Sequence, residues 1–120
     1  MSQPIYFDPV RLPPEAQSLR EEVRAFLAEE IAAGTFDPHS MGAGDRFNRE
    51  FSRRVGARGW IGLTWPKKYG GHERSFLERF VLTEEFRVAN APAWGHFVAD
   101  RQSGPMLMKY AGEDICMDIL

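Results

Sequence analysis

Apolar residues recur at intervals of three and four positions near the start of the chain, and charged residues fill the positions between them. The recurring apolar residues are Ala16, Leu19, Val23, Phe26, Leu27 and Ile31. One such stripe is typical of an amphipathic helix that packs by a single face against a core. Pro13 and Pro14 suit its first turn, where the missing proline N–H would have no partner in any case. The pattern predicts an outer helix that ends near Gly34.

A second, shorter helix is predicted after the glycine-containing loop at 34–44. Asp45 is its expected N-cap, because a carboxylate can accept from the free N–H groups of the first turn. Phe47, Phe51 and Val55 follow at intervals of four, which predicts that they share the buried face. Four arginines lie off this face: Arg49, Arg53, Arg54 and Arg58.

A third helix is predicted from Phe76 to about Asn90. Ser75 and Glu78 have the spacing of a capping box, which marks its start. Apolar residues cover two sides of this helix on a helical wheel, and a helix of that kind is usually central in a bundle. One side carries Phe76, Leu77, Phe80, Val81 and Val88, and the other carries Leu82, Phe86 and Ala89.

The remaining residues complete an all-α fold. After Pro92 we expect one or two helical turns from Ala93 to Arg101, and then a helix capped by Ser103 and ended by Gly112. No segment has a convincing strand period, so we predict an orthogonal or up-down bundle of four to six helices. The expected division is an extended arm at 1–12, a helical domain at 13–112, and the start of a further helix at 113–120.

Composition narrows the possible functions. The 120 residues suffice for one domain, and a formal net charge of -2 argues against nucleic acid binding. The net charge therefore disfavours the hypothesis that the arginine-rich second helix belongs to a helix-turn-helix DNA-binding protein. The single cysteine, Cys116, fits a reducing compartment. With no 18-residue apolar run and no leader pattern, we expect no membrane span and a cytoplasmic location.

The stretch 59–71 is the most specific motif, and it reads G-x-x-G-L-x-x-P-x-x-Y-G-G. Its spacing does not match a phosphate-binding loop, so its glycines are expected to serve tight turns and close packing. A helix carrying Glu84 and Glu85 follows it. This ordered set resembles the N-terminal helical domain of the acyl-CoA dehydrogenases, over about Leu12 to Gly112.

The resemblance implies a role in a larger flavoenzyme. The full enzyme would bind FAD, oxidise an acyl-CoA to a 2,3-enoyl-CoA in fatty acid or lipid β-oxidation, and pass electrons to an electron-transfer flavoprotein. The family's flavin motif and its catalytic glutamate belong to other domains and have no counterpart here. This chain alone is therefore expected to be inactive, and to need the remaining dehydrogenase domains or a homologous subunit.

Glu84 is the one candidate general base, because it falls within the first apolar side of the third helix. A carboxylate in that position is either paired or has a raised pKa. We favour a structural ion pair with Arg20, Arg24 or Arg54, since buried acids in bundles are usually paired. The resemblance agrees, and no catalytic residue is assigned to this chain.

The three histidines, His39, His72 and His96, have no spacing typical of a metal site. His96, Ala99 and Ser103 lie at helical spacing after Pro92. The resemblance implies that these three residues, with Phe97 nearby, line the inner end of the acyl cavity and bind substrate. The small Ala99 and Ser103 would leave room for a long or bulky acyl group. Simple helix packing is the alternative.

Five of the last six residues, 115–120, are apolar, with Asp118 the exception, and this segment departs from the polar helix that the family has after Gly112. We expect a truncated gene product or a separately encoded domain, contributing part of the acyl-pocket wall. The alternative is a stand-alone helical protein-interaction module without enzymatic activity, which would use the apolar tail and the loop at 59–71.

Overall fold

The computed structural model describes residues 2–42 and 46–120, and these residues form helices with no strand among them. The helices are α1 (Pro14–Ala32), α2 (Arg49–Ala57), α3 (Phe76–Val88), α4 (Trp94–Val98), α5 (Gly104–Tyr110) and α6 (Glu113–Ile119). A π-helical turn at Ala99–Ser103 joins α4 and α5 into one stretch, and a short 3-10 turn occupies Lys67–Tyr69. The all-α prediction is confirmed, with five helical stretches in the described part of the chain.

Helix α1 matches its sequence pattern. It begins at Pro14 and ends at Ala32, two residues before Gly34, whose φ is +73°. Five of the six predicted stripe residues are buried, and Ile31 is half-buried against the core. The stripe packs against α3. Local periodicity therefore fixed both the helix and its buried face.

Helix α2 begins later than predicted. Asn48 is its N-cap, and the Asn48 side chain accepts from the Phe51 N–H at 3.0 Å. The predicted cap, Asp45, lies outside the described residues. Phe47 precedes the helix and is 76% exposed, so its placement on the buried face was wrong. Phe51 and Val55 are fully buried, as predicted.

The core is centred on the ring of Phe51. The ring centroids of Phe26, Phe36 and Phe86 lie 5.9, 5.4 and 5.6 Å from it. Tilted and edge-to-face pairs of this kind are favourable beyond the area they bury. This cluster joins α1, α2, α3 and the loop that carries Phe36.

Helix α3 confirms its predicted start and part of its predicted burial, since Val81, Leu82 and Phe86 are buried. Ser75 and Glu78 form the full capping box. Phe76, Phe80 and Val88 are 69, 54 and 78% exposed, because no described element packs on that side. The apolar pattern on two sides of α3 therefore does not make it a central helix within the described residues.

The predicted helix start at Ser103 is wrong. Ser103 has helical backbone angles and makes no capping hydrogen bond, and the helical stretch continues from Trp94 to Tyr110. The π turn directly precedes Gly104 and Pro105. A wider turn there relieves the clash between a proline ring and the carbonyl four residues back.

None of the helices within residues 2–42 and 46–120 is long and apolar enough to cross a membrane.

Candidate functional site

The loop between α2 and α3 is held against the π turn by Trp65. The Trp65 indole N–H donates to the backbone carbonyl of Asp100 at 3.0 Å, and the Gly62 N–H donates to the Asp100 carboxylate. A Cβ on Gly71 would lie 2.1 Å from the Trp65 carbonyl oxygen, and one on Gly104 would lie 2.2 Å from its ring. The predicted role of the loop glycines in close packing is confirmed.

A partly open cavity of about 50 Å³ lies between this loop, α3 and the residues around α4. Space of this size accommodates about three to five water molecules or a small apolar group. Trp60, Leu82 and Phe86 form its apolar wall. Since Trp60 and Phe86 also belong to the hydrophobic core, the wall is held by well-packed residues.

The predicted site residues separate into two pairs. His96 and Phe97 line the cavity, whereas Ala99 and Ser103 are exposed and do not line it. The prediction relied on a period of 3.6 residues, and the i→i+5 turn that begins at Ala99 departs from that period.

His96 is held on two sides. Its Nε2 lies 2.6 Å from the Ser52 hydroxyl oxygen, and its ring lies parallel to that of Phe51 at 6.1 Å between centroids. Burial lowers the pKa of His96 and so favours the neutral imidazole.

Asp100 and Arg101 add two ionisable side chains to the cavity that the sequence did not reveal. Burial raises the pKa of Asp100, although the Gly62 N–H and the charges of Arg79 and Arg101 oppose that rise. Arg101 donates to the Thr83 hydroxyl at 2.6 Å. A turn that no sequence period marks places both residues, so no signal was available to find them.

The two adjacent acids of α3 differ in burial. The Glu84 side chain is 42% exposed and pairs with Arg20 at 2.8 Å. The predicted ion pair is confirmed, but the predicted burial among apolar residues is wrong. The Glu85 side chain is only 7% exposed, and it bonds to Arg20 and, at 3.0 Å, to Arg24.

The pKa of Glu85 reflects its two partners. Burial alone would raise it, but the hydrogen bonds and charges of Arg24 and Arg20 outweigh burial and hold it below its usual value. Neither Glu84 nor Glu85 lines the cavity. Both acids therefore act as structural ion-pair partners.

Across the described ranges, no three or more histidine, cysteine, aspartate or glutamate residues are grouped so that they could hold a metal ion.

The fold and the site together define a class of protein: a helical domain with an aromatic-lined cavity next to a π turn. The family described as the acyl-CoA dehydrogenase N-terminal domain matches residues 13–120. The chain therefore belongs to the acyl-CoA dehydrogenase family and corresponds to its N-terminal domain.

Two curated relatives show how much of the enzyme the chain represents. It is 31% identical over 106 residues to acyl-CoA dehydrogenase FadE26 of Mycobacterium tuberculosis, covering 84% of this chain and 26% of the relative. It is 30% identical over 102 residues to acyl-CoA dehydrogenase IpdE1 of Mycolicibacterium smegmatis, covering 80% of this chain and 26% of the relative. The chain thus spans about a quarter of these relatives.

Solved structures show the same fold. The steroid ACAD Tcur3481-Tcur3483 superposes with a TM-score of 0.71 at 35% identity, covering 91% of this chain and 28% of that one. The ChsE4-ChsE5 complex from Mycobacterium tuberculosis superposes with a TM-score of 0.72 at 27% identity, covering 94% of this chain and 28% of that one. Both neighbours are assemblies of more than one component.

Proposed function

We propose that this chain is the N-terminal domain of an FAD-dependent acyl-CoA dehydrogenase that oxidises acyl-CoA to 2,3-enoyl-CoA in lipid β-oxidation. It supplies part of the acyl-pocket wall and not the catalytic base. The observation that carries this proposal is a cavity with an apolar wall, lined by His96 and Phe97, in a domain of this family.

In this role the cavity residues bind and shield the acyl group. Trp60 and Phe97 offer ring surfaces to a hydrocarbon, and their contact with it removes water from both. Ala99 and Ser103 lie on the exposed side of the same helical stretch, where small side chains leave room for a bulky acyl group. One structural neighbour, Tcur3481-Tcur3483, is a steroid ACAD, which supports a bulky group.

The cavity does not fit FAD. It has space for only a few water molecules, whereas FAD is a dinucleotide many times larger. We therefore assign flavin binding and the α-proton base to the remaining domains or to a homologous subunit, with an electron-transfer flavoprotein as the acceptor. The free Cys116 suits the proposed cytoplasmic location.

The test is a flavin and turnover assay on the purified chain with FAD, a series of acyl-CoAs and an artificial electron acceptor. The proposal expects no bound flavin and no turnover, because it assigns the flavin site and the base to other domains or to a homologous subunit. Turnover by the chain alone would contradict it.

A substitution in the assembled enzyme tests the pocket wall. Ala99→Phe is expected to shift the preference in kcat/KM towards shorter acyl groups, because the larger ring takes up acyl space. Ala28→Phe, on the exposed face of α1, is the matched control and should leave the preference unchanged. If both variants keep the original preference, Ala99 does not face the acyl group.

A stand-alone interaction module is the second candidate, and the exposed apolar side chains of Phe76, Phe80 and Val88 favour it. Such a surface marks a contact site for a partner. The two candidates differ in solution behaviour. A module melts cooperatively as a monomer or a defined dimer, whereas a domain without its neighbours self-associates through the uncovered surface.

A further inference from the structure

The half-buried arginines of the described residues differ in their partners. There are four of them: Arg20, Arg74, Arg79 and Arg101. Arg20 and Arg74 each form an ion pair with a glutamate of α3. Within residues 2–42 and 46–120, Arg79 and Arg101 have no carboxylate at ion-pair distance. Charged groups that leave water are usually paired, so this second pair of arginines calls for an explanation.

The charged end of Arg101 lies at the wall of the cavity. Its Nη2 donates to the Thr83 hydroxyl at 2.6 Å, and its Cζ lies 4.6 Å from the centroid of the Phe97 ring. Thr83 and Phe97 both line the cavity, so the guanidinium itself, and not only its aliphatic stem, borders the open space. Its Nε and Nη1 atoms donate to no other described residue. They are also not sealed inside the protein, so an acceptor from outside can reach them.

The guanidinium is held in place before any ligand binds. The Thr83 hydroxyl donates to the Arg79 carbonyl at 2.8 Å, which turns its oxygen lone pairs towards Arg101. The Phe97 ring supports the guanidinium from another side. A group that is already oriented loses little conformational entropy when it forms a new bond.

The surrounding charges favour an anion. Burial and the nearby charge of Arg79 lower the pKa of Arg101, so the two cations repel each other. Asp100 also acts on Arg101, but its carboxylate accepts from the Gly62 N–H, and burial raises the pKa of Asp100 towards the neutral form. An anion bound at Arg101 would relieve the repulsion. A carboxylate suits a guanidinium best, because it can accept two parallel N–H bonds.

We propose that Arg101, assisted by the charge of Arg79, binds a carboxylate carried by the acyl chain, so that the cavity selects acyl groups that end in a free carboxylate over hydrocarbon ones. This inference rests on the proposed function, since it takes an acyl group as the ligand. Trp60 and Phe86 contact the carbon atoms beside the carboxylate. The small volume of the cavity limits entry to the end of the chain.

The test compares three thioesters of N-acetylcysteamine that differ only at the far end of the acyl chain: hexanoyl, adipoyl and the methyl ester of adipoyl. Each is titrated into the purified chain, and tryptophan fluorescence reports binding because Trp60 and Trp94 both line the cavity. The adipoyl thioester is expected to bind about tenfold more tightly than the two neutral ones, the effect of a hydrogen bond to a charged group. Added sodium chloride should weaken this preference, because salt screens charge pairs.

Four variants separate the charge of Arg101 from the charge of the whole chain. Arg101→Gln should abolish the preference for adipoyl and leave the affinity for hexanoyl unchanged. Arg101→Lys keeps the charge but not the planar fork, and should retain part of the preference. Arg79→Gln should reduce it. Arg49→Gln, at an exposed position that does not line the cavity, is the matched control and should keep the full preference.

The NMR signal of the Arg101 Nε–H group gives a second readout on the original chain. Adipoyl thioester should shift this signal, and the methyl ester should not. If Arg101→Gln does not fold, the three thioesters and this signal still decide.

The possible failures are distinguishable. Equal affinity for the three thioesters would overturn the carboxylate inference and leave the acyl-wall function in place. No binding of any of them by a folded chain would overturn both. An adipoyl preference that survives in Arg101→Gln would overturn the role of Arg101. Displacement of the adipoyl thioester by an equal concentration of inorganic phosphate would show that any anion suffices, and would overturn selection for an acyl carboxylate.

Discussion

The core around Phe51 and the cavity beside the π turn lie next to each other but are held by different interactions. The core is a set of interlocking aromatic rings around Phe51. The cavity side relies on Asp100, which bonds to the loop through both its side chain and its backbone, and on glycines that admit Trp65. The first arrangement maximises stability, whereas the second positions polar groups around open space.

The largest expected effect is in the core. Phe51→Ala should lower the free energy of unfolding by about 3–5 kcal/mol, since it opens a cavity among three rings. Phe76→Ala is the control, because Phe76 is 69% exposed. Its effect should stay within about 0.5 kcal/mol in urea unfolding followed by circular dichroism. Equal losses would refute the assignment of stability to the core.

The next largest effect on stability is expected at the two acids of α3, Glu84 and Glu85, which should differ from each other. Glu85→Gln is expected to cost about 2–3 kcal/mol, because two arginines lose a buried charged partner. Glu84→Gln should cost less than about 1 kcal/mol, as expected for an exposed pair. The reverse order in urea unfolding at pH 7 would contradict the burial difference.

The effect of Glu85 has a defined pH dependence. Its pKa is lower in the folded chain than in the unfolded chain, so its ionised form stabilises the fold. That contribution is complete above the unfolded value of about 4.3 and is lost as the pH falls through the lowered folded value. The gap between the original chain and Glu85→Gln should therefore narrow below about pH 4.

Alanine substitutions at two glycines of the Trp94–Tyr110 helical stretch compare the stability of the cavity side with that of the open surface. Gly104→Ala should cost about 1–2 kcal/mol, because its Cβ would lie 2.2 Å from the Trp65 ring. Gly95→Ala has no atom within 4 Å of the new Cβ and should gain up to about 1 kcal/mol of helix stability. Stabilisation by both substitutions, measured as melting temperature, would contradict the close packing of Trp65.

The smallest effect is expected at Asp100. Its folded pKa is raised, so the folded state holds the proton more tightly and loses stability as the pH rises above the unfolded value of about 3.9. Asp100→Asn keeps an oxygen that can accept from Gly62 but removes this titration. Its stability relative to the original chain should rise with pH until the folded pKa is passed. A constant difference from pH 3 to pH 8 would show that burial does not shift Asp100.

The sequence was sufficient where the deciding interactions are local. The α1 stripe and the Ser75–Glu78 capping box depend on residues three or four positions apart, so their patterns predicted them correctly. Phe47 was misplaced because one cap, Asn48, sets where α2 begins. The contact between Gly62 and Asp100 spans 38 positions. It also depends on a π turn, which the apolar period does not encode.

The exposed side of α3 shows a second limit of sequence patterns. Phe76, Phe80 and Val88 have the composition of a buried face, yet no described element covers them. An apolar pattern predicts that a surface is buried. It does not say whether the element that covers the surface belongs to the same chain. The family match to about a quarter of longer relatives is consistent with this reading.

The most direct test of the account follows the three tryptophan indole N–H resonances by NMR while hexanoyl N-acetylcysteamine thioester is added. Trp60 and Trp94 line the cavity, whereas Trp65 does not line it and donates to the Asp100 carbonyl. An acyl site at the cavity predicts that the Trp60 and Trp94 signals shift with a common affinity while the Trp65 signal stays in place. Shifts confined to backbone amides of the exposed α3 side, with all three indole signals unchanged, would contradict an acyl site at the cavity.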